Sequence, residues 1–288
     1  MSVRMKRTTI LSLCIAALTV LYISYNFSTL SVGSGPYPFE TLHGETVMIS
    51  GKGLYGNNSV AMAIQGLAHD VVTIFWALPL LLLSLYFTIK GKLWAQIMLS
   101  GVLGYFFFTF LLFLVLPAFN RMYIIWVTIT LCSFFALLNC LLDFDYSKIK
   151  GRFSERFPNR AIGIFLIVNA AAIALLWLTI IAPPLFTGEI PPGIEHYTTF
   201  PVQGLDLALA LPLAFVSGIY LLKKIPAGYI WASSYIFFLS CLMPALLAKI
   251  IGMGLNGVPV GPPLVIIPIF TLGAQISGAR IIKELGKE

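Results

Sequence analysis

Three histidines, a few acids and two isolated cations are the residues of this chain whose types could do chemistry. His69 stands directly before Asp70, and Glu195 stands directly before His196, with Asp206 ten residues further on. Carboxylates beside imidazoles can bind a cation, hold a polar ligand or exchange a proton near neutral pH. The pattern therefore indicates a polar site to which two distant segments of the chain contribute.

Motifs for metal, haem and nucleophilic chemistry are absent from the sequence. Zinc ligands stand at short spacings, and the chain has no H-x-x-x-H or H-E-x-x-H pair. The four cysteines, Cys14, Cys132, Cys140 and Cys241, lie in apolar runs and away from the histidines. No G-x-S-x-G turn is present. We therefore expect no metal and no cofactor; catalytic residues are unknown, and whether the protein is an enzyme stays open.

Composition excludes a soluble fold. Hydrophobic residues make up 59% of the 288 residues, against about 45–50% in soluble domains, and charged residues make up 10% against about 25%. The mean hydropathy is +0.93. A globule of this size has too little interior to hide so much apolar surface. The chain is therefore expected to be a polytopic membrane protein.

Eight apolar runs are long enough to cross a bilayer as helices, which takes about 20 residues each. They are Thr8–Tyr25, Val71–Ile89, Leu93–Leu116, Met122–Leu142, Ala161–Ala182, Val202–Leu222, Ala227–Ala248 and Leu264–Ala279. The runs are continuous rather than alternating, which disfavours membrane strands. No small-x-small cleavage site follows the first run, so we predict a retained helix. The predicted fold class is all-α, a polytopic transmembrane bundle of eight spans.

Lysine and arginine are distributed unequally between the loops. With the N-terminus in the cytoplasm, 15 of the 18 fall in inner segments, and only Lys52, Arg121 and Lys249 fall in outer ones. The positive-inside rule therefore predicts a cell (plasma) membrane protein with both termini cytoplasmic. The net charge of +7 is then an excess at the inner face and not a nucleic-acid surface, so the expected partner is the lipid bilayer.

The second and sixth runs resemble each other, which predicts an internal repeat. Both pass from Gln-Gly-Leu through an aspartate to Leu-Pro-Leu, and both reach a lysine eleven residues after the proline. The aspartate-to-proline distance differs, nine residues from Asp70 and six from Asp206. Four spans per half would give both halves the same orientation. We predict a first half at 1–145 with a long outer loop at 27–68, a cytoplasmic linker at 146–160 and a second half at 161–288.

The two long outer loops have local patterns of their own. Residues 45–50 alternate between apolar and polar types as in a short strand, and from Val60 onward the chain reads as helix. The second loop, 183–201, holds five prolines, so stiff extended segments are expected there.

Charged residues at the outer ends of the spans could line a site. Asp70 lies 20 residues before the lysine that ends its helix and Asp206 lies 17 before, which is about 30 Å and 25 Å of helix. Asp70 is then at the outer edge of the hydrocarbon and Asp206 slightly deeper. We predict that Asp70 pairs with Arg121 and Asp206 with Lys249. These pairs either fasten helix ends or form the floor of an outward-facing pocket.

Three segments resemble a known family. They are Gly53-Leu54-Tyr55, the run from His69-Asp70-Val71-Val72-Thr73 to Pro79-Leu80-Leu81, and the run from His196-Tyr197-Thr198-Thr199-Phe200-Pro201-Val202-Gln203 to Asp206-Leu207. They are similar to an uncharacterised family of prokaryotic multi-pass, eight-span integral membrane proteins, over most of the chain from about Gly44. No activity is known for that family, so the resemblance implies the eight-span fold and no function.

Three functional hypotheses stay open. The first is a protein that binds or permeates a small or amphipathic ligand, with Asp70 and Asp206 in the floor of the pocket and His69, Glu195 and His196 at its mouth. A cationic ligand would suit these acids. The second is a membrane enzyme at the outer leaflet, in which His196 or His69 acts as acid and base on a lipid-linked or headgroup substrate. The third is a structural or assembly subunit of a membrane complex.

Overall fold

Eight helices that are long and apolar enough to cross a membrane make up most of the protein. The computed structural model describes residues 2–191, 193–258, 260–261 and 263–286. Within these ranges the helices are α1 (Val3–Ser28), α2 (Val60–Ile89), α3 (Leu93–Val115), α4 (Tyr123–Leu142), α5 (Asn159–Thr187), α6 (Pro201–Leu222), α7 (Pro226–Leu255) and α8 (Pro263–Leu285). The prediction of an all-α bundle of eight spans is confirmed.

Two helices begin or end well beyond the boundaries predicted for them. α2 begins at Val60 because the Ser59 hydroxyl accepts a hydrogen bond from the backbone N–H of Met62 at 3.2 Å and caps the helix. α5 continues through Pro183 and Pro184 to a left-handed glycine cap at Gly188, so the prediction of extended backbone from residue 183 is wrong for this part.

A small hairpin follows α1. Strand β1 (Tyr37–Glu40) pairs in antiparallel register with β2 (Thr46–Ile49), so that Tyr37 lies opposite Ile49 and Glu40 opposite Thr46. The predicted strand at residues 45–50 is confirmed as β2, and its partner was not predicted. We call the end of the bundle that carries this hairpin and residues 188–200 the hairpin end.

The opposite end carries the short connections and most of the lysines. There the backbone carbonyl of Leu142 at the end of α4 accepts from the Arg4 guanidinium at 2.7 Å, and Ser2 Oγ donates to the Asp143 carboxylate at 2.5 Å. A short 3₁₀ turn, Ile149–Arg152, follows within the link between α4 and α5 and packs against α7. We call this end the basic end.

Helices α3 and α7 cross at the centre of the bundle. α3 packs against α2, α4 and α7, while α7 packs against α2, α3, α6 and α8; α1 lies on α4 and α2, and α5 lies chiefly on α6. At the crossing, the hydroxyls of Ser100 and Ser234 are 2.6 Å apart. Gly101 permits this approach, because a Cβ there would lie 2.2 Å from the Ser234 carbonyl oxygen.

A π-helical turn interrupts both α2 and α6 at the same point. The turns are Thr73–Ala77 and Asp206–Ala210, and each is followed directly by Leu-Pro-Leu. Proline has no N–H and clashes with the preceding helical turn. The turn therefore widens, and the N–H of the residue before each proline donates to a carbonyl five residues back.

The two π turns give α2 and α6 the same local geometry before the proline. Thr73 and Asp206 both lie six residues before the proline and both begin the turn. Asp70 lies three residues before the first turn, so the turns align Asp206 with Thr73 and not with Asp70. The internal repeat itself stays a prediction.

A third proline, Pro244 in α7, frees a carbonyl that two other helices satisfy. Pro244 cannot donate to the Ser240 carbonyl four residues before it. The indole Nε1 of Trp76 in α2 and the amide Nε2 of Gln275 in α8 both donate to this oxygen at 2.9 Å. The proline thereby ties α7 to both neighbours.

We predict that Gly101→Ala destabilises the protein, while Gly104→Ala one turn away in α3 does not. A Cβ at Gly101 would also lie 2.6 Å from Phe237 Cβ, whereas a Cβ at Gly104 meets only Phe238 Cδ2, at 3.8 Å. Overpacking of this kind costs about 1–3 kcal/mol, and glycine to alanine within a helix otherwise gains up to about 1 kcal/mol. Thermal unfolding of the two variants in detergent measures the difference. Equal midpoints would show that α3 and α7 do not cross closely at Gly101.

Candidate functional site

Asp70 is the centre of a buried hydrogen-bond cluster between α1, α2 and the hairpin segment. Its side chain is 1% exposed. One carboxylate oxygen accepts from the Tyr22 hydroxyl; the other accepts from Asn26 Nδ2 at 2.6 Å and from the Tyr55 hydroxyl at 3.0 Å. The two tyrosine hydroxyls are 3.0 Å apart. We call Asp70, Tyr22, Asn26 and Tyr55 the Asp70 cluster.

Tyr55 brings the hairpin segment into this cluster. It is 2% exposed, and its ring stacks against Trp126 of α4 at 6.5 Å between centroids. Burial and the neighbouring Asp70 carboxylate raise the pKa of the Tyr55 phenol above its ordinary value. The phenol therefore stays protonated and remains a donor, so the cluster fastens the segment to the bundle.

The predicted ion pair between Asp70 and Arg121 is wrong. Both carboxylate oxygens of Asp70 already accept from neutral donors. Arg121 is exposed in the connection between α3 and α4, and within the described residues it forms no ion pair. It lines a small pocket of about 290 Å³ at the hairpin end, together with Asn57 and Asn120.

His69 lies inside the bundle rather than at the mouth of a pocket, as its 2% exposure shows. Its Nε2 is 3.0 Å from the Tyr105 hydroxyl and 3.2 Å from Thr109 Oγ1, and its ring stacks on Tyr105 with an interplanar angle of 6°. Thr73 Oγ1 extends this series of hydrogen bonds, because it lies 2.7 Å from the Tyr105 hydroxyl. The expectation that His69 lies at the mouth of a pocket is therefore wrong, because α2 begins at Val60, eleven residues before its apolar run, and carries His69 within the helix.

Asp206 and Lys249 are charged residues well inside the apolar helices that remain partly accessible. Both are half-buried. The Asp206 carboxylate accepts from the indole Nε1 of Trp177 in α5 at 2.8 Å. Lys249 in α7 interacts electrostatically with Asp206 and with Asp70.

The predicted ion pair between Asp206 and Lys249 is not closed. Among the described residues the two groups form neither a salt bridge within 4.0 Å nor a hydrogen bond. Trp177 occupies one oxygen of Asp206, so part of the carboxylate and the whole ammonium group have no hydrogen-bond partner in the part of the chain that the structure describes. We call Asp206, Trp177 and Lys249 the Asp206–Lys249 site.

Glu195 and His196 lie on the proline-rich segment at the hairpin end. His196 Nε2 is 3.2 Å from the Asn57 carbonyl oxygen, and its ring lies 4.3 Å from that of Tyr197 and 6.1 Å from that of Phe39. Glu195 is half-buried in a left-handed turn, with φ of 54°. These contacts hold the proline-rich segment against the hairpin.

Asn58 completes this connection between the two loops. Its Oδ1 accepts from the Tyr197 hydroxyl at 3.2 Å and from the backbone N–H of Ala118 at 2.8 Å. Burial raises the pKa of Tyr197 to about 12, so its hydroxyl is a permanent donor at neutral pH. The outer loops of the two predicted halves are therefore bonded to each other at the hairpin end.

In the part of the chain that the structure describes, no three His, Cys, Asp or Glu side chains come close enough together to hold a metal ion.

The residues that the sequence did not indicate are neutral donors: Tyr22, Asn26, Tyr55, Tyr105 and Trp177. A signal existed for two of them, because Tyr22 and Asn26 stand four residues apart and so share one face of α1.

We predict that Asp70→Ala lowers stability more than Tyr55→Phe does. Loss of the carboxylate leaves two buried donors without an acceptor, at about 1–3 kcal/mol each, since one tyrosine hydroxyl can still donate to the other, whereas Tyr55→Phe removes one hydrogen bond of about 1 kcal/mol. Tyr37→Phe is the control, since Tyr37 is exposed and has no described hydrogen bond. Thermal unfolding in detergent ranks the variants. An Asp70→Ala midpoint equal to that of Tyr37→Phe would contradict a fastening role.

Comparison of the chain with protein-family models, with curated proteins and with solved structures finds no match. The resemblance to uncharacterised multi-pass membrane proteins therefore stays a prediction based on the three segments that carry it. The helices support a coarser conclusion. Eight helices that are long and apolar enough to cross a membrane indicate an integral membrane protein.

Proposed function

We propose that this protein binds or permeates a small polar or amphipathic ligand at the Asp206–Lys249 site. One observation carries the proposal: an acid and a lysine, both half-buried in membrane-spanning helices, lie within electrostatic range of each other without closing into an ion pair. Ionisable side chains inside a membrane bundle are costly, and where they occur they usually mark a ligand or ion path.

The contrast with Asp70 argues against a purely structural role for Asp206. A carboxylate that only fastens helices is expected to be fully sealed and saturated with donors, as Asp70 is. Asp206 has one donor, from Trp177, and remains accessible. The cost of removing the Asp206 carboxylate from water is offset only when another molecule supplies the hydrogen bonds that the protein does not.

The charges of the site indicate the class of ligand. Asp206 offers an acceptor for an ammonium or other cationic donor, and Lys249 offers three donors for a carboxylate, phosphate or hydroxyl. A ligand that carries both kinds of group, either a small zwitterion or a zwitterionic lipid headgroup, would satisfy both residues at once. Asp70 and His69 then form the rigid wall beside Lys249 instead of the floor of the pocket.

The orientation and the two-half organisation belong to the same proposal. The excess of lysine and arginine at the basic end supports a cytoplasmic location for that end and for both termini, with the hairpin end outside a plasma membrane. The matched π turns, Thr73–Ala77 and Asp206–Ala210, support two parallel halves joined by residues 146–160. The lipid bilayer is the partner, and no nucleic-acid surface is required.

The enzyme alternative has less support. His196 was its main candidate for an acid and base, but the Nε2 of His196 is occupied by the Asn57 carbonyl and its ring is packed between Tyr197 and Phe39. His69 is sealed by Tyr105 and Thr109. A general acid or base must reach its substrate, and the contacts of both histidines leave less room for this.

The proposal predicts that Asp206→Asn and Lys249→Gln abolish stabilisation by a charged small molecule. The full chain, purified in detergent, is melted with glycine, phosphoethanolamine, choline and inorganic phosphate as separate probes. A probe at 100 times its dissociation constant adds about 2.7 kcal/mol of stability, which a thermal scan detects. We expect at least one probe, phosphoethanolamine first, to raise the melting midpoint of the wild type and of neither variant.

The matched controls carry the same substitutions at the basic end. Asp145 and Lys148 form an exposed pair at 3.1 Å, so Asp145→Asn and Lys148→Gln change the same charges away from the site. These controls should respond to the probe as the wild type does. If all four variants keep the shift, or if no probe shifts the wild type and native mass spectrometry finds no retained small molecule, the proposal is wrong.

A further inference from the structure

An apolar groove of about 710 Å³ opens sideways from the bundle between α4 and α6, with α3 and α7 behind it. Its walls come from Leu138 and Leu142 on α4 and from Leu209 and Leu213 on α6, all of which are 41–53% exposed. The α4 residues belong to the last turns before the basic end. The groove therefore faces the half of the membrane on that side, and it is separate from the Asp206–Lys249 site.

The back of the groove presents no free polar group. The hydroxyls of Ser100 and Ser234 bond each other at 2.6 Å, and the Tyr235 hydroxyl donates to the Ala210 carbonyl at 2.9 Å. Gly104 leaves room where a side chain would otherwise fill the space. The volume lies within the range of about 300–1,000 Å³ that holds a small molecule, and only a hydrocarbon suits such walls.

The two π turns contact α7 differently. Trp76, the fourth residue of the first π turn, donates to the Ser240 carbonyl and holds α2 against α7. The fourth residue of the second π turn is Leu209, which has no donor and lines the groove, while α6 is tied to α7 by the bond from Tyr235 to the Ala210 carbonyl.

Aromatic residues line the basic end of the groove, and two lysines follow them closely in sequence. Tyr146 and Trp231 line it there, and Tyr220 stacks on Trp231 at 5.5 Å with an interplanar angle of 15°. Lys223 follows Tyr220 by three residues at the end of α6, and Lys150 lies in the 3₁₀ turn that packs against α7. Both lysines are exposed and, among the described residues, neither forms a salt bridge.

We propose that this groove is a binding site for one anionic phospholipid from the leaflet at the basic end. The acyl chain lies in the groove, the glycerol region lies beside Tyr146 and Trp231, and the negative headgroup lies against Lys150 and Lys223. Tyrosine and tryptophan favour the depth of the headgroups, and each lysine near the surface attracts anionic lipid. The charge of the groove's end thus selects an anionic phospholipid over a neutral one.

The test uses the full chain in bilayers of equal parts phosphatidylglycerol and phosphatidylcholine, followed by native mass spectrometry of retained lipid. We expect the wild type to retain one phosphatidylglycerol in preference to phosphatidylcholine. Leu213→Trp fills the groove and should abolish retention. Lys150→Gln with Lys223→Gln should keep retention but reduce the preference, by about fivefold for each lysine.

Two controls separate the groove from the general lipid surface. Leu185→Trp changes an outward leucine that is 76% exposed on α5, and Lys52→Gln removes a lysine at the hairpin end. Both should behave as the wild type. The inference is overturned if the wild type retains the two lipids equally, or if Leu213→Trp retains as much phosphatidylglycerol as Leu185→Trp.

A second readout does not depend on a groove-filling variant. Phosphatidylglycerol with brominated acyl chains quenches tryptophan by contact, so it should quench the wild type more than brominated phosphatidylcholine does. This excess should disappear in Trp231→Phe, because Trp231 lines the groove, and persist in Trp94→Phe, because Trp94 is absent from its lining. Equal excess quenching in both variants would place the lipid elsewhere and overturn the inference.

Discussion

Hydrogen bonding inside lipid is the constraint on which this structure depends. A polar group that cannot reach water must find its partner in the protein, and each proline in a span creates a carbonyl without one. Wider π turns accommodate Pro79 and Pro212, and donors from two neighbouring helices satisfy the Ser240 carbonyl that Pro244 leaves without a donor. Because these hydrogen bonds join particular helices, helix packing here follows from backbone chemistry as much as from apolar burial.

The same constraint separates the charged residues into two kinds. Asp70 is saturated by Tyr22, Asn26 and Tyr55, and its burial joins α1, α2 and the hairpin segment into one unit. Asp206 and Lys249 are only half-buried, and their contacts within the protein are incomplete. The fully buried carboxylate of Asp70 is completed by the protein itself. Under the proposed function, a ligand completes the contacts of Asp206 and Lys249.

Much of the architecture could be predicted from the sequence, and the reasons are physical. Span length and hydropathy are fixed by membrane thickness, so all eight helices were found. Helix rise placed Asp70 only at the outer edge of the hydrocarbon, whereas its side chain is fully buried among its donors. The donors to Asp70 and Asp206 could not be found from the sequence, because Tyr55 and Trp177 come from segments 15 and 29 residues away that only the fold brings close. The unequal distances from Asp70 and Asp206 to their prolines agree with the positions of the two π turns.

The bond from Trp76 to Ser240 has a mechanical consequence. It fixes α2 to α7, whereas α6 is tied to α7 by the bond from the Tyr235 hydroxyl to the Ala210 carbonyl, and α5 packs chiefly on α6. Asp206 and its donor Trp177 therefore lie on the pair α5–α6, while Lys249 lies on α7. The packing of α6 on α7 thus sets the distance between the two charges, and the same packing borders the apolar groove.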